Sequence, residues 1–264
     1  MNDTNKDIGL PLLDQINVYA DLGTNHKGNR KLYDRLVNYA ISANAIVKIQ
    51  LFSEKTFNRN WPLPEFWVPS VFCPADLDYA LPRKPLALKI ASVESTYYEL
   101  VRECCSTGLP VMISTGGMNE DELLKLCETI DPYSGSVCLM HCVSMYPTPL
   151  DLACMSRISL LADIMEDMMI QPYVGWSCHT PEWENLLPIA LAYDAKQLEF
   201  HLKEDILDNK TPDQQCAVDV ENLREITVRT LELQPVFGDS YEDDYVPPDR
   251  PDVLEWRKRW SKYV

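Results

Sequence analysis

Two histidines stand at the ends of short apolar runs, His179 in VGWSCHT (174–180) and His201 in QLEFHLKED (197–205). Glu199 lies two positions before His201, and the stretch between the runs, PEWENLLPIALAYDA, reads as one helix. Strand, helix, strand with a right-handed crossover puts two parallel strand ends side by side. Two imidazoles so placed can share a small ion with open positions for water and a substrate, a Lewis-acid arrangement for a carbonyl. Imidazole suits zinc, cobalt, nickel and iron, and added carboxylate or water ligands favour manganese. The competing reading is a pair of hydrogen-bonded core histidines. Lys48 in AIVKIQLF and Lys89 in PLALKIAS form a second set, each a lysine inside an apolar run. Lysine is rarely buried without a partner. It is either paired inside the core, with Asp21 or Glu94, or it binds an anion, with Ser92, Ser114 and Thr115 completing a phosphate or carboxylate cradle.

The elements that must position these residues repeat along the chain. Strands are expected at 16–23, 45–52, 67–74, 85–92, 109–117, 135–144, 173–177 and 196–201. Helices are expected at 30–43 behind an Asn29 cap, 94–107, 119–129, 151–168, from Pro181 at a first helical position, and 220–233. Between the second and third strands, Pro62 and Pro64 argue against a full helix, and ADLDYAL allows two helical turns at most. Eight strands alternating with about seven helices imply an α/β fold, a (β/α)8 TIM barrel with a reduced second βα unit. A doubly wound open sheet is the runner-up, but no GxGxxG or GxxxxGK[ST] supports it. The chain divides into a lead-in at 1–15, the barrel at 16–234, and an acidic, proline-rich tail with a basic end at 235–264.

In such a barrel, chemistry gathers where strands end. The first strand offers Asp21, then Asn25 and His26. The second offers Lys48 and Gln50, and the fourth Lys89, Ser92 and Glu94. The fifth offers Ser114 and Thr115, and the sixth His141, Ser144 and then Tyr146. The seventh offers Ser177 and His179, and the eighth Glu199 and His201, with Asp213 following. His141 fits packing or support of the site equally, and His26, in the turn GTNHKG, fits a structural or a catalytic role.

The chain has 264 residues and a formal net charge of −16. That charge disfavours nucleic acid and anionic membrane surfaces. No apolar run is long enough for a membrane span, and no secretory leader is read at the N-terminus. Nine cysteines in spacings that fit neither a disulfide framework nor a zinc knuckle point to a reducing, cytoplasmic setting.

ADLGTNHKGN, AIVKIQLF, KIASVE, STGGM, LMHCVSMYPTP, GWSCHT, LEFHLKED and TPD occur in that order from about residue 16 to 233. Together they resemble the catalytic barrel of the sialic acid synthases. The resemblance implies condensation of phosphoenolpyruvate with an N-acyl hexosamine such as N-acetylmannosamine, giving a nine-carbon acid and free phosphate by C–O cleavage. It implies a divalent metal, usually manganese, on His179 and His201, with Glu199 positioning water or substrate. Lys89, Ser92, Ser114 and Ser177 would hold phosphoenolpyruvate with Lys48 nearby. Glu94 would serve as an acid–base group, and Gln50, Tyr146 and Asp213 would face the sugar. Asp21 stands where the family has glutamate, one methylene longer. Cys178 replaces an aspartate, Thr211 a glycine, and Cys73 a hydroxyl near the phosphate. The family continues into a small antifreeze-like domain that lids the sugar site of a dimer partner. EWRKRWSKYV resembles the linker into it. The expectation is a lid supplied by a second chain or within a homodimer, a different substrate, or a non-catalytic relative acting as a partner or regulatory subunit.

Overall fold

A computed structural model describes residues 12–51, 57–204 and 212–237. The start of the lead-in, the tail beyond Phe237, Thr211 and residues 52–56 of the second crossover lie outside the described residues. Eight parallel strands close on themselves in sequence order: β1 Asn17–Asp21, β2 Ile46–Gln50, β3 Trp67–Val71, β4 Leu88–Ile90, β5 Val111–Ser114, β6 Val137–His141, β7 Tyr173–Cys178 and β8 Gln197–His201, with β8 pairing back to β1. The (β/α)8 barrel is therefore the fold. Almost every strand position is buried, because helices cover the outside while side chains fill the inside.

Alternation along each strand splits the apolar residues into two cores. Val47, Ile49, Leu88, Ile90, Val111, Ile113, Leu139, Trp176, Leu198 and Phe200 point outward to the helices. Leu13, Tyr19, Val68, Ala87, Met112, Cys138 and Met140 fill the lower barrel. The opposite parity at the upper ends, Asp21, Lys48, Gln50, Lys89, Ser114, Ser177, Glu199 and His201, must then face the interior above that plug. Pairing fixes their level: Asp21 lies opposite both Lys48 and His201, and Ser177 opposite Glu199. Gly175 has no side chain at a crowded seam; a Cβ there would lie 2.5 Å from the Gln197 carbonyl oxygen.

The helices are α1 Arg30–Ser42, α2 Pro74–Ala80, α3 Tyr98–Cys105, α4 Glu120–Ile130, α5 Arg157–Asp167, α6 Trp183–Ala192, α7 Pro212–Cys216 and α8 Val220–Phe237. Asn29 caps α1 by accepting from Leu32 N–H, and Asn119 and Glu122 cap α4 reciprocally. Between β2 and β3, residues 57–66 carry no helix, in keeping with the reduced second unit. Pro69 sits inside β3 after all, in a strand of five residues.

Three helix limits differ from expectation. The 151–168 helix is broken: Leu150–Leu152 form a 3-10 turn, Cys154 adopts φ 48°, and α5 starts at Arg157. A 3-10 turn over Ser92–Glu94 precedes α3, which begins only at Tyr98. Pro181 lies ahead of α6, where Thr180 Oγ1 accepts from Glu182 N–H instead. No described helix is long and apolar enough to cross a membrane.

Candidate active site

Two lysines and two carboxylates occupy the barrel interior just above the apolar plug. Lys48 Nζ donates to Asp21 Oδ2 at 2.7 Å and lies 3.1 Å from Glu199 Oε1. Gln50 Nε2 donates to the same Asp21 oxygen at 2.9 Å, and Gly23 N–H to its other oxygen at 2.9 Å. Ser177 Oγ donates to Glu199 Oε1 at 2.8 Å. Lys89 differs: its Nζ donates to Ser114 Oγ at 2.6 Å, with Glu199 Oε2 farther off at 3.8 Å. Lys48 thus takes the ion-pair alternative that the sequence offered, whereas the nearest partner of Lys89 is a neutral hydroxyl.

Charge states follow from these contacts. Burial alone would raise the Asp21 carboxyl, but Lys48 and then His201 outweigh it and hold Asp21 below its ordinary value. Glu199 is likewise lowered against the pull of burial, by Lys48 and Lys89. Lys48 is raised because Asp21 and Glu199 overcome the opposing effect of burial. Lys89 is lowered by burial, which Glu199 offsets only in part. The Lys48, Asp21 and Glu199 charges thus support one another, and Lys89 is the member of the layer that burial opposes most.

Over this layer stand the two histidines. His179 Nδ1 is 2.7 Å from the Val143 carbonyl oxygen, so it carries the proton, and Nε2, 3.5 Å from Ser177 Oγ, keeps its lone pair. Burial, then the neighbouring His201, pushes His179 down to about 4, so the ring is neutral near pH 7. The two rings stack with centroids 5.6 Å apart, and the Tyr146 ring lies 4.2 Å from His179. His201 Nδ1 is 3.3 Å from Asp21 Oδ2 yet forms no aligned hydrogen bond. Asp213 Oδ2 accepts from Thr24 N–H and Oγ1. It shares the niche over Gly23 with His201 Nδ1: a Cβ on Gly23 would lie 2.7 Å from Asp213 Oδ2 and 3.2 Å from that nitrogen.

The donor set fits an open-sided divalent site. One imidazole is held by a backbone carbonyl, as histidine ligands commonly are, and its other nitrogen has only a long contact to Ser177 Oγ. His201 Nδ1 and Glu199 Oε2 are buried and lack hydrogen-bond partners. Among the described residues, no three His, Cys, Asp or Glu side chains form a metal cage, so protein atoms alone do not enclose an ion.

Asp21, Lys48, Gln50, Lys89, Ser114, Tyr146, Ser177, His179, Glu199, His201 and Asp213 therefore converge. Ser92 joins at the rim: its Oγ accepts from Gly116 N–H at 3.1 Å and lies 3.1 Å from Cys142 Sγ. Glu94, in the same 3-10 turn, is half-buried, and its side chain makes no hydrogen bond or ion pair among the described residues. His141 points the other way: its Nε2 meets the Ala153 carbonyl oxygen at 2.8 Å, and its buried Nδ1 has no hydrogen-bond partner. His26 packs edge-on to Tyr33 and Trp61, with Nδ1 accepting from Gly28 N–H. The residue-type reading passed over Cys142, Gly116, Thr24 and the buried hydroxyl of Ser70, which has no partner. Parity held the signal for two of them: Cys142 continues the inward row of Cys138 and Met140, and Ser70 that of Val68.

A closed parallel barrel with lysines, carboxylates and two imidazoles at the C-terminal strand ends presents its polar groups at one mouth, the end where barrels of this fold carry their sites. The chain belongs to the NeuB family, which matches residues 65–242. It is similar to the N,N'-diacetyllegionaminic acid synthase of Legionella pneumophila, 29% identical over 168 residues, covering 61% of this chain and 45% of that one. It is also similar to a pseudaminic acid synthase of Campylobacter jejuni, 26% identical over 178 residues, covering 66% and 49%. The chain thus spans about half the length of these curated relatives. The crystal structure of N-acetylneuraminic acid synthetase from Leptospira borgpetersenii shares the fold, with a TM-score of 0.78, 21% identity and coverage of 93% of this chain and 92% of that one. The family match begins at residue 65, so Asp21, Lys48 and Gln50 lie outside it and are tied to the site by the geometry of the barrel.

Proposed function

We propose that the protein condenses phosphoenolpyruvate with the open-chain aldehyde of an N-acyl hexosamine resembling N-acetylmannosamine, forming a nine-carbon acid of the sialic type. Membership of the NeuB family and the synthases among its relatives support this reading. The observation that carries it is Lys89: a buried lysine whose close partner is the hydroxyl of Ser114, at the same mouth as two stacked imidazoles.

In this reading Lys89, Ser114, Ser92 and Ser177 bind the anionic phosphoenolpyruvate, and Lys48 locks Glu199 and Asp21 in place. C3 of the enolpyruvate attacks the aldehyde carbon, and the aldehyde oxygen gains a proton. Water oriented by Glu199 adds to the electron-poor C2. Loss of phosphate through the C2–O bond then leaves the 2-oxo acid. Glu94, whose side chain is uncommitted among the described residues, would move a proton. Tyr146, Gln50 and Asp213 face the sugar. His179 and His201 would hold the divalent ion, manganese by preference; when bound, it supplies polarisation of the aldehyde oxygen.

Phosphate release from phosphoenolpyruvate is the test, with manganese present, with and without N-acetylmannosamine and other N-acyl aldoses. Aldose-dependent release that His179→Ala abolishes is the expected result. No aldose-dependent release with any such sugar at saturating manganese refutes the reading.

A further inference from the structure

Cys142 follows β6 one inward step beyond Met140 and is buried. Its Sγ lies 3.1 Å from Ser92 Oγ, and Gly116 N–H donates to that same oxygen. Three strand ends close here. A Cβ on Gly116 would lie 2.5 Å from Ser144 Oγ, 2.7 Å from Cys142 Sγ and 2.8 Å from Ser92 Oγ. A hydroxyl oxygen has two lone pairs and one proton. Gly116 fills one lone pair of Ser92, so the thiol governs the rest.

We infer that Cys142 is a positioning residue for the anion end of the site: its S–H donates into Ser92 Oγ and leaves the Ser92 proton aimed at an anionic oxygen of phosphoenolpyruvate. The inference rests on the functional reading above and deepens it. A thiol is a weak donor and a weak acceptor. It can accept the Ser92 O–H as a hydrogen bond while the site is empty and give it up when a charged oxygen, a far better acceptor, arrives; the O–H then rotates away and the S–H donates to the lone pair that turns towards it. A fixed carbonyl in that position would keep the proton. An alkyl group would leave the hydroxyl free to turn away. The competing role is that of a small buried hydrophobe, which is how a free cysteine usually behaves.

Three variants separate the two: Cys142→Ala and Cys142→Val lack a donor, and Cys142→Ser keeps one. Each is titrated calorimetrically with phosphoenolpyruvate alone and then assayed with the aldose, with thermal melts to confirm folding. Loss of one hydrogen bond predicts roughly three- to ten-fold weaker phosphoenolpyruvate binding in the Ala and Val variants. KM should rise in proportion, with little change in kcat, and serine should restore most of the affinity. If Ala does not fold, Val and Ser still decide between donor and volume. Wild-type affinity in the folded Ala or Val variant, or a serine variant as weak as these, overturns the inference. Wild-type protein that binds no phosphoenolpyruvate overturns it together with the functional reading.

Discussion

Replacing Lys48 by methionine keeps most of the stem and removes the charge that two buried carboxylates share. At an effective dielectric of about 20, charges 2.7 and 3.1 Å apart attract by about 6 and 5 kcal/mol. Much of that gross attraction offsets the desolvation of three ions, and breaking such a buried pair costs about 3–5 kcal/mol net. The sign of the pH dependence follows from the carboxyl groups. In the wild type, Asp21 and Glu199 sit below their ordinary values of 3.8 and 4.5. Their stabilising contribution is therefore present above those values and is lost as pH falls through the lower folded ones. Without Lys48, burial dominates and at least one carboxyl rises above its unfolded value. The variant's deficit should then be largest near neutrality and shrink as acid neutralises that group. Urea unfolding, followed by tryptophan fluorescence and circular dichroism at pH 7.5 and pH 5, measures both. A loss below about 1 kcal/mol would show that relaxation or water screens the layer, against the burial argument. A deficit equal at the two pH values would show that the carboxylates do not respond to Lys48.

Burial holds His26 down to about 4 from 6.5, and protonation of Nδ1 would break its bond from Gly28 N–H. Stability should therefore fall as pH drops from 6.5 towards 4, and His26→Phe should flatten part of that slope in thermal melts; an unchanged slope removes His26 as its source. Asp76 Oδ2 accepts from Phe72 and Cys73 N–H at the start of α2, so Asp76→Ala should cost about 1–2 kcal/mol in urea unfolding, and no loss would deny it the capping role. Gly116→Ala drives a methyl group against Ser92, Cys142 and Ser144. It should weaken phosphoenolpyruvate binding more than ten-fold in calorimetry while the far-ultraviolet circular dichroism stays native; undiminished binding would remove this niche from the site.

The barrel was legible because the parallel strands are short apolar runs, most of them bounded by glycine, proline or asparagine, a pattern that burial on both faces imposes. Lys48 and Lys89 were legible for the same reason, as charges where such a run tolerates none unpaired. What escaped the sequence was geometry across the chain. Nothing local says that Lys48 spends itself on Asp21 and Glu199 while Lys89 does not, since that depends on register between strands. His141 and His179 look alike as residues after apolar runs. Only counting from Met140 sends the first outward, and only a loop departure places the second over Ser177. The break at Cys154 had no signal either: its left-handed turn is made without a glycine or asparagine, and its carbonyl accepts from Arg157 N–H at the start of α5.

The β1–β8 seam has a consequence for the order in which this protein can be made. Asp21 leaves the ribosome 180 residues before His201, its partner across the seam. At about 5–20 residues per second, that is a wait of roughly 10–40 s. During it the nascent chain already holds Asp21, Lys48 and Lys89 but lacks Glu199 and Ser177's place beside it. A half-made barrel would have to bury lysines without their full complement of counter-charges, which favours leaving the early strands loosely assembled and exposed. The charge layer that fixes the finished site thus cannot be completed until the eighth strand emerges.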